Sequence, residues 1–228
     1  MPEEFDINGR TVAGYLALPE RGSGPGVLVL HAWWGLTPFF EGVCERLAEE
    51  GFVAFAPDRY SGPTAATIEE AEALQTQRED RVRTEAALRT SVEFLRDHEA
   101  VVGEGLGALG FSAGAQWALL LSVREPDLIR AVVAFYGTAQ TDYSGVRAAY
   151  LGHYAELDEW EPVEEVRGTQ EALRAAEREV TFYTYPGVGH WFFEEDRVGH
   201  YDAEAARLAW ERTVAFLRAR LGPKPSTR

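Results

Sequence analysis

Residues 106–121 read Leu106-Gly-Ala-Leu-Gly110-Phe-Ser112-Ala-Gly114-Ala-Gln-Trp-Ala-Leu-Leu-Leu121. The first four residues form a short apolar run of strand length, and residues 115–121 continue as an apolar helix former. Between them Gly110-Phe-Ser-Ala-Gly114 fits the pattern G-x-S-x-G. A strand that turns into a helix within so few residues needs small side chains where the two elements meet. Such a turn holds the central serine in a strained conformation, with its hydroxyl at the top of a sheet. Three fixed positions in five residues arise often by chance. The weight of the pattern therefore comes from its strand–turn–helix setting, against the plainer reading of a glycine-rich turn with an N-capping serine.

Elements of the same kind continue on both sides. Gly26-Val-Leu-Val-Leu-His31 is apolar throughout, as a strand covered by helices on both faces of a parallel sheet must be. Phe39, Phe40, Val43, Leu47 and Ala48 recur at helical spacing, with Glu41, Glu45, Glu49 and Glu50 on the other side, and Gly51 ends the helix. Phe52-Val-Ala-Phe-Ala56 is the next strand, closed by Pro57. Strand, helix and strand within about thirty residues make one parallel crossover unit. Residues 11–18 predict a half-exposed strand. Thr67-Ile-Glu-Glu70 is a capping box that opens one long or two shorter helices reaching about His98. Further strands are expected over 131–136, 148–152 and 180–185, and helices over 113–123, 163–178 and 202–221. Alternation of this kind predicts an α/β fold, a mainly parallel sheet with helices on both faces, in a single domain over 1–228.

The chain has 228 residues, 46% hydrophobic and 26% charged, which is globular composition. Twenty-two basic residues face 37 acidic ones, a net charge of −15 that argues against nucleic acid or an anionic membrane as partner. The expected partner is a small molecule. No apolar run approaches the length of a membrane span. The acidic start, Met1-Pro-Glu-Glu-Phe-Asp6, lacks the apolar core of a secretory signal, so a cytoplasmic location is expected. Met1, Asn8 and Lys224 are the sole residues of their types. The single cysteine, Cys44, excludes an internal disulfide and a multi-thiolate metal site, and its helical setting reads as a buried small hydrophobe. No HExxH pattern is present, and neither cofactor nor metal is expected.

A serine hydroxyl becomes nucleophilic only with a base beside it and an acid to orient that base. After a G-x-S-x-G turn the chain order is serine, acid, histidine. His31 and His98 precede Ser112, which leaves His153, His190 and His200. His190 closes Tyr185-Pro-Gly-Val-Gly-His190, a glycine-rich loop after a predicted strand, at the sheet edge where open α/β sheets bind ligands. His153 precedes every strong acid candidate, and His200 reads as a surface cap on the last helix. The acid candidates are Glu156, Asp158, Glu159 and Glu161, and spacing alone does not separate Asp158 from Glu156.

The chain resembles the dienelactone hydrolase family, a branch of the α/β-hydrolases. The matching stretches are His31-Ala-Trp-Trp-Gly-Leu36, Ala56-Pro-Asp-Arg-Tyr60, Gly110-Phe-Ser-Ala-Gly114, Leu151-Gly-His-Tyr-Ala-Glu-Leu-Asp158, Tyr185-Pro-Gly-Val-Gly-His-Trp-Phe-Phe193 and Tyr201-Asp-Ala-Glu-Ala-Ala206. They occur in family order and span nearly the whole chain. The resemblance implies a triad of Ser112, Asp158 and His190. It also implies an oxyanion hole from the backbone amides of Trp33 and Ala113. Trp34 and Trp191, with Trp33, Phe192 and Phe193 nearby, could line an apolar pocket or simply fill core.

Two departures bear on specificity. Dienelactone-cleaving members carry a cysteine where this chain has Ser112, and a glutamate where it has Ala32. These changes agree, because a serine does not need the extra carboxylate. Those members also hold a substrate carboxylate with an arginine shortly after the histidine. Here Glu194 and Glu195 come first and Arg197 lies further on. The resemblance thus implies a serine hydrolase of small carboxylic esters or lactones, and the departures weaken the expectation of lactone-acid specificity without weakening that of hydrolysis. The alternatives are a non-catalytic binding protein on the same fold, or acyl transfer or peptide cleavage by the same residues.

Overall fold

The computed structural model describes residues 3–7, 10–78 and 80–222. Met1, Asn8 and Lys224 lie outside the described residues. Among the described residues eight strands form one sheet: β1 Glu3–Ile7, β2 Arg10–Ala17, β3 Gly26–Leu30, β4 Val53–Pro57, β5 Leu106–Phe111, β6 Ile129–Phe135, β7 Ala149–Ala155 and β8 Val180–Tyr185. Their order across the sheet is β1-β2-β4-β3-β5-β6-β7-β8. The β1–β2 and β2–β4 pairs are antiparallel, and all pairs from β4 to β8 are parallel.

Among the described residues six helices cover the sheet: α1 Pro38–Glu49, α2 Ile68–Arg78, α3 Arg81–Asp97, α4 Ala113–Arg124, α5 Val163–Ala175 and α6 Ala203–Leu221. Strand side chains alternate between two cores, as the pleat requires. Val27, Val29, Leu109, Phe111, Val133 and Phe135 pack with α1, α2 and α6. Leu28, Leu30, Ala108, Val132 and Ala134 pack with α3, α4 and α5. Helices therefore lie on both faces, in an α/β-hydrolase arrangement.

Several boundaries differ from the sequence reading, each for a local reason. The acidic β1 pairs with β2 at the edge of the sheet, where no apolar run is required. β7 runs on past Gly152 because its polar residues are buried with partners. His153 sits between the Tyr185 hydroxyl at 2.9 Å and Thr213 Oγ1 at 3.0 Å. α5 stops at Ala175, before Glu177 takes the left-handed conformation with φ 57°. The segment opened by Thr67 is two helices, and its capping box forms: Thr67 Oγ1 accepts from the Glu70 N–H, and Glu70 accepts from the Thr67 N–H, both at 3.2 Å.

The chain leaves β3 toward β4 on one side and, later, β5 toward β6 on the other. The carboxyl ends of β3 and β5 are thus the switch point of the sheet, where open α/β sheets form a crevice. Ser112 follows β5 at that point.

Candidate active site

Ser112 joins β5 to α4 with φ 51° and ψ −117°, outside the ordinary L-residue regions. Close packing enforces this. A Cβ on Gly110 would collide with the backbone of Gly114, and one on Gly114 would collide with the carbonyls of Leu30 and His31. The first turn of α4 therefore rests directly on the end of β3. The Ser112 N–H donates to the Phe135 carbonyl at 2.9 Å, which ties the turn to β6. Ala113 is the first residue of α4, so its N–H is among those a helix leaves without an intrahelical acceptor. Trp33 lies in the loop after β3, beside the same turn.

His190 reaches Ser112 from the loop after β8. That loop is fastened to the loop after β7. Glu156 Oε2 accepts from the Gly187 N–H at 2.8 Å, and the Leu157 N–H donates to the Val188 carbonyl at 2.9 Å. His190 Nε2 lies 3.0 Å from Ser112 Oγ. Its Nδ1 lies 2.9 and 2.8 Å from Asp158 Oδ1 and Oδ2. Asp158 Oδ1 also accepts from the N–H groups of Trp160 and Glu161, each at 2.9 Å. A carboxylate that only accepts takes the Nδ1 proton as its donor partner, which leaves Nε2 to accept from the serine hydroxyl.

The other candidates lie elsewhere. Glu159 is exposed, and Glu156 is held by the Gly187 amide. Glu161 accepts from the Thr138 hydroxyl at 2.6 Å, and burial pushes its carboxyl up to about 7. His153 is buried within β7, and burial pulls it down to about 3. His200 does not cap the last helix. Asp202 does, accepting from the Ala205 N–H at 2.8 Å, because it directly precedes the first helical residue, Ala203, while His200 lies two residues earlier. The His200 ring packs edge-on against Trp191, 4.9 Å between centroids.

The model of the dienelactone hydrolase family matches residues 12–221. The chain belongs to the dienelactone hydrolase family. "Protein usf" of Aquifex pyrophilus is 38% identical over 223 residues, with 94% of this chain and 96% of the relative covered. An Aquifex aeolicus protein named "Putative carboxymethylenebutenolidase" is 34% identical, covering 96% and 97%. Among solved structures, a dienelactone hydrolase-like promiscuous phosphotriesterase from metagenomic libraries superposes with TM-score 0.83 at 21% identity. It covers 97% of this chain and 98% of its own, a likeness of fold. The chain is thus a hydrolase of the dienelactone hydrolase type.

This dienelactone hydrolase family member gathers indoles beside His190, whose ring lies 5.0 Å from that of Trp191. Trp33, Trp34 and Trp191 are buried, with ring centroids 5.3 to 6.2 Å apart. Trp160 packs on Trp33 at 5.2 Å and on Trp191 at 5.5 Å while remaining 45% exposed. Sequence reasoning missed Trp160, whose only signal was its place two residues after Asp158. Phe192 and Phe193 are core. Phe193 stacks on Phe111, and the Phe192 ring packs tilted against Tyr185, 4.9 Å between centroids.

Glu194 is fully buried and accepts from the Tyr136 hydroxyl at 2.7 Å, while the Tyr136 ring lies 4.7 Å from the His190 ring. Burial pushes Glu194 up to about 8, with Asp196 adding to the rise. Arg197 lies over the Trp34 ring at 4.0 Å. Cys44 is buried in α1, and burial pushes its thiol up. Among the described residues no group of His, Cys, Asp and Glu side chains converges to hold a metal ion. No described helix is long and apolar enough to cross a membrane.

Proposed function

We propose that the protein is a serine hydrolase that cleaves small carboxylic esters or lactones through an acyl-enzyme on Ser112. The observation that carries this reading is the hydrogen-bonded chain from Ser112 Oγ through the His190 ring to both oxygens of Asp158. Ser112 Oγ attacks the carbonyl carbon while its proton passes to His190 Nε2. Asp158 holds the ring in the required tautomer and stabilises the imidazolium. The carbonyl oxygen becomes an oxyanion facing the N–H groups of Ala113 and Trp33. His190 then gives its proton to the leaving alkoxide. Water then attacks the acyl carbon and gives a proton to the same nitrogen; the bond to Ser112 Oγ breaks, Oγ takes that proton back, and the acid leaves.

The indoles of Trp33, Trp34, Trp160 and Trp191 supply an apolar surface for an acyl or alcohol group. The name of the Aquifex aeolicus relative, "Putative carboxymethylenebutenolidase", points to a lactone ring as the bond cleaved. A buried carboxyl at Glu194, in place of a cation soon after His190, favours neutral esters and lactones over lactone acids. Incubation with an alkyl fluorophosphonate, followed by mass spectrometry of the intact chain and of its peptides, tests the reading. One adduct on Ser112 with concurrent loss of p-nitrophenyl butyrate hydrolysis is expected. An unlabelled Ser112 in folded protein overturns it in favour of a non-catalytic binding protein.

A further inference from the structure

A buried polar pair lies at the base of the site. His31 follows β3 and is fully buried, and Arg59 follows β4 and is 7% exposed. The Arg59 backbone N–H donates to His31 Nε2 at 3.2 Å, which leaves Nδ1 as the ring's donor. Nδ1–H donates to the Ala32 carbonyl at 2.6 Å. The Arg59 guanidinium donates from Nη2 to the His31 carbonyl at 2.7 Å. Burial first, and the Arg59 charge second, hold His31 well below its ordinary range, so the ring stays neutral in this one tautomer. One side-chain pair thus fixes two consecutive carbonyls. From the other flank, Gly114 brings the first turn of α4 against the His31 carbonyl.

The peptide that joins Ala32 to Trp33 is planar and trans, so its N–H points opposite to its carbonyl. Holding the Ala32 oxygen against the imidazole therefore sets the direction of the Trp33 N–H. A hydrogen bond received at that carbonyl also polarises the N–H of the same peptide. Oxyanion donors act by being aimed before the charge develops. Filling the space alone would call for apolar side chains, because a buried guanidinium carries a desolvation cost that only its bonds offset.

We infer that His31 and Arg59 are positioning residues that aim the Trp33 amide at the transition-state oxyanion, an inference that rests on the hydrolase reading above. His31→Phe keeps the ring and removes its bonds. Arg59→Met keeps the length and removes the guanidinium, and Arg59→Lys restores a cation with poorer geometry. Each variant is assayed with p-nitrophenyl butyrate and with phenylboronic acid, whose boron becomes a tetrahedral anion on the serine oxygen. In His31→Phe and Arg59→Met, kcat is expected to fall about 10- to 100-fold, the range for a misdirected oxyanion donor. KM stays within about two-fold, and the boronate inhibition constant rises by the same factor as kcat falls. Arg59→Lys recovers part of both, and it carries the test alone if the other variants do not fold, with a several-fold kcat loss at unchanged KM. Unchanged kcat and boronate affinity overturn the inference. So does a kcat loss that follows the melting temperature and leaves boronate affinity intact. Ser112→Ala, run alongside, separates the two ideas. If it stays active the hydrolase reading itself falls. If it is inactive while the His31 and Arg59 variants are unimpaired, only this inference falls.

Discussion

The His190 imidazole is bracketed by both carboxylate oxygens of Asp158, at 2.9 and 2.8 Å from Nδ1, and the two side chains are only 4% and 5% exposed. Little solvent reaches this contact, so the orientation of the ring depends on the carboxylate itself. Glu156, two residues earlier, spends its carboxylate on the Gly187 amide. The two acids are thus chemically alike and geometrically separate.

Asp158→Asn should keep the shape of the site and lose the charge. By analogy with the serine-protease case, turnover should fall roughly ten-thousand-fold. Glu156→Gln should lower it by no more than a few-fold, since an amide oxygen can still accept from Gly187. Parallel kcat measurements on the two variants, with folding followed by circular dichroism, decide the matter. A crippled Glu156→Gln beside a mild Asp158→Asn would show the acid to be misassigned.

Ser112→Ala should remove nearly all esterase activity, by roughly a million-fold, the scale seen on deleting the nucleophile of a serine protease. Cys44→Ser should stay active, because its thiol is buried in α1 and held in its protonated form. Inactivation by the cysteine substitution, with serine dispensable, would reassign the nucleophile.

Gly114→Ala should damage both fold and activity. The added methyl group meets the backbone carbonyls of Leu30, the last residue of β3, and of His31, held by Arg59, which cannot yield as a flexible side chain would. A loss of about 1–3 kcal/mol or more is expected from overpacking of this kind. Gly145→Ala, where a methyl group meets nothing within 4 Å, is the control. Equal urea midpoints for the two variants would refute the close approach.

Glu194 links stability to pH. Its folded value is about 8 against an ordinary 4.5, so between pH 5 and 8 the native state keeps a proton that the unfolded state releases. Stability contributed by this group therefore falls as pH rises through that window, by at most about 1.4 kcal/mol per unit. Glu194→Gln retains an acceptor for the Tyr136 hydroxyl and removes the ionisation. Urea unfolding at pH 5, 6, 7 and 8 should show a flatter profile for the variant than for the parent chain. Parallel profiles would exclude a raised carboxyl.

The alternation of apolar runs with amphipathic helices made the parallel sheet legible, because buried strands such as 26–30 and 106–111 contain almost nothing else. The serine turn was legible for the same reason, since its glycines answer a steric demand that any local reading can detect. The contact between Asp158 and His190 was not readable from spacing, because it depends on how two loops 32 residues apart are stitched together. β7 beyond Gly152 escaped notice because His153 and Tyr154 look polar until their partners from other strands and helices are known. The same holds for His31 and Arg59, two polar residues 28 apart whose burial makes sense only as a pair.

Ser112, Asp158 and His190 follow β5, β7 and β8, and no two of them belong to the same strand–helix–strand unit except through the last crossover. The outermost strand, β8, carries the histidine loop. On the proposed mechanism, helices and the central strands can form during refolding before hydrolysis is possible, because His190 is brought to Ser112 only when β8 docks on β7. Recovery of turnover should therefore lag the recovery of far-ultraviolet circular dichroism, which makes the enzyme a clock for the closing step of its own sheet.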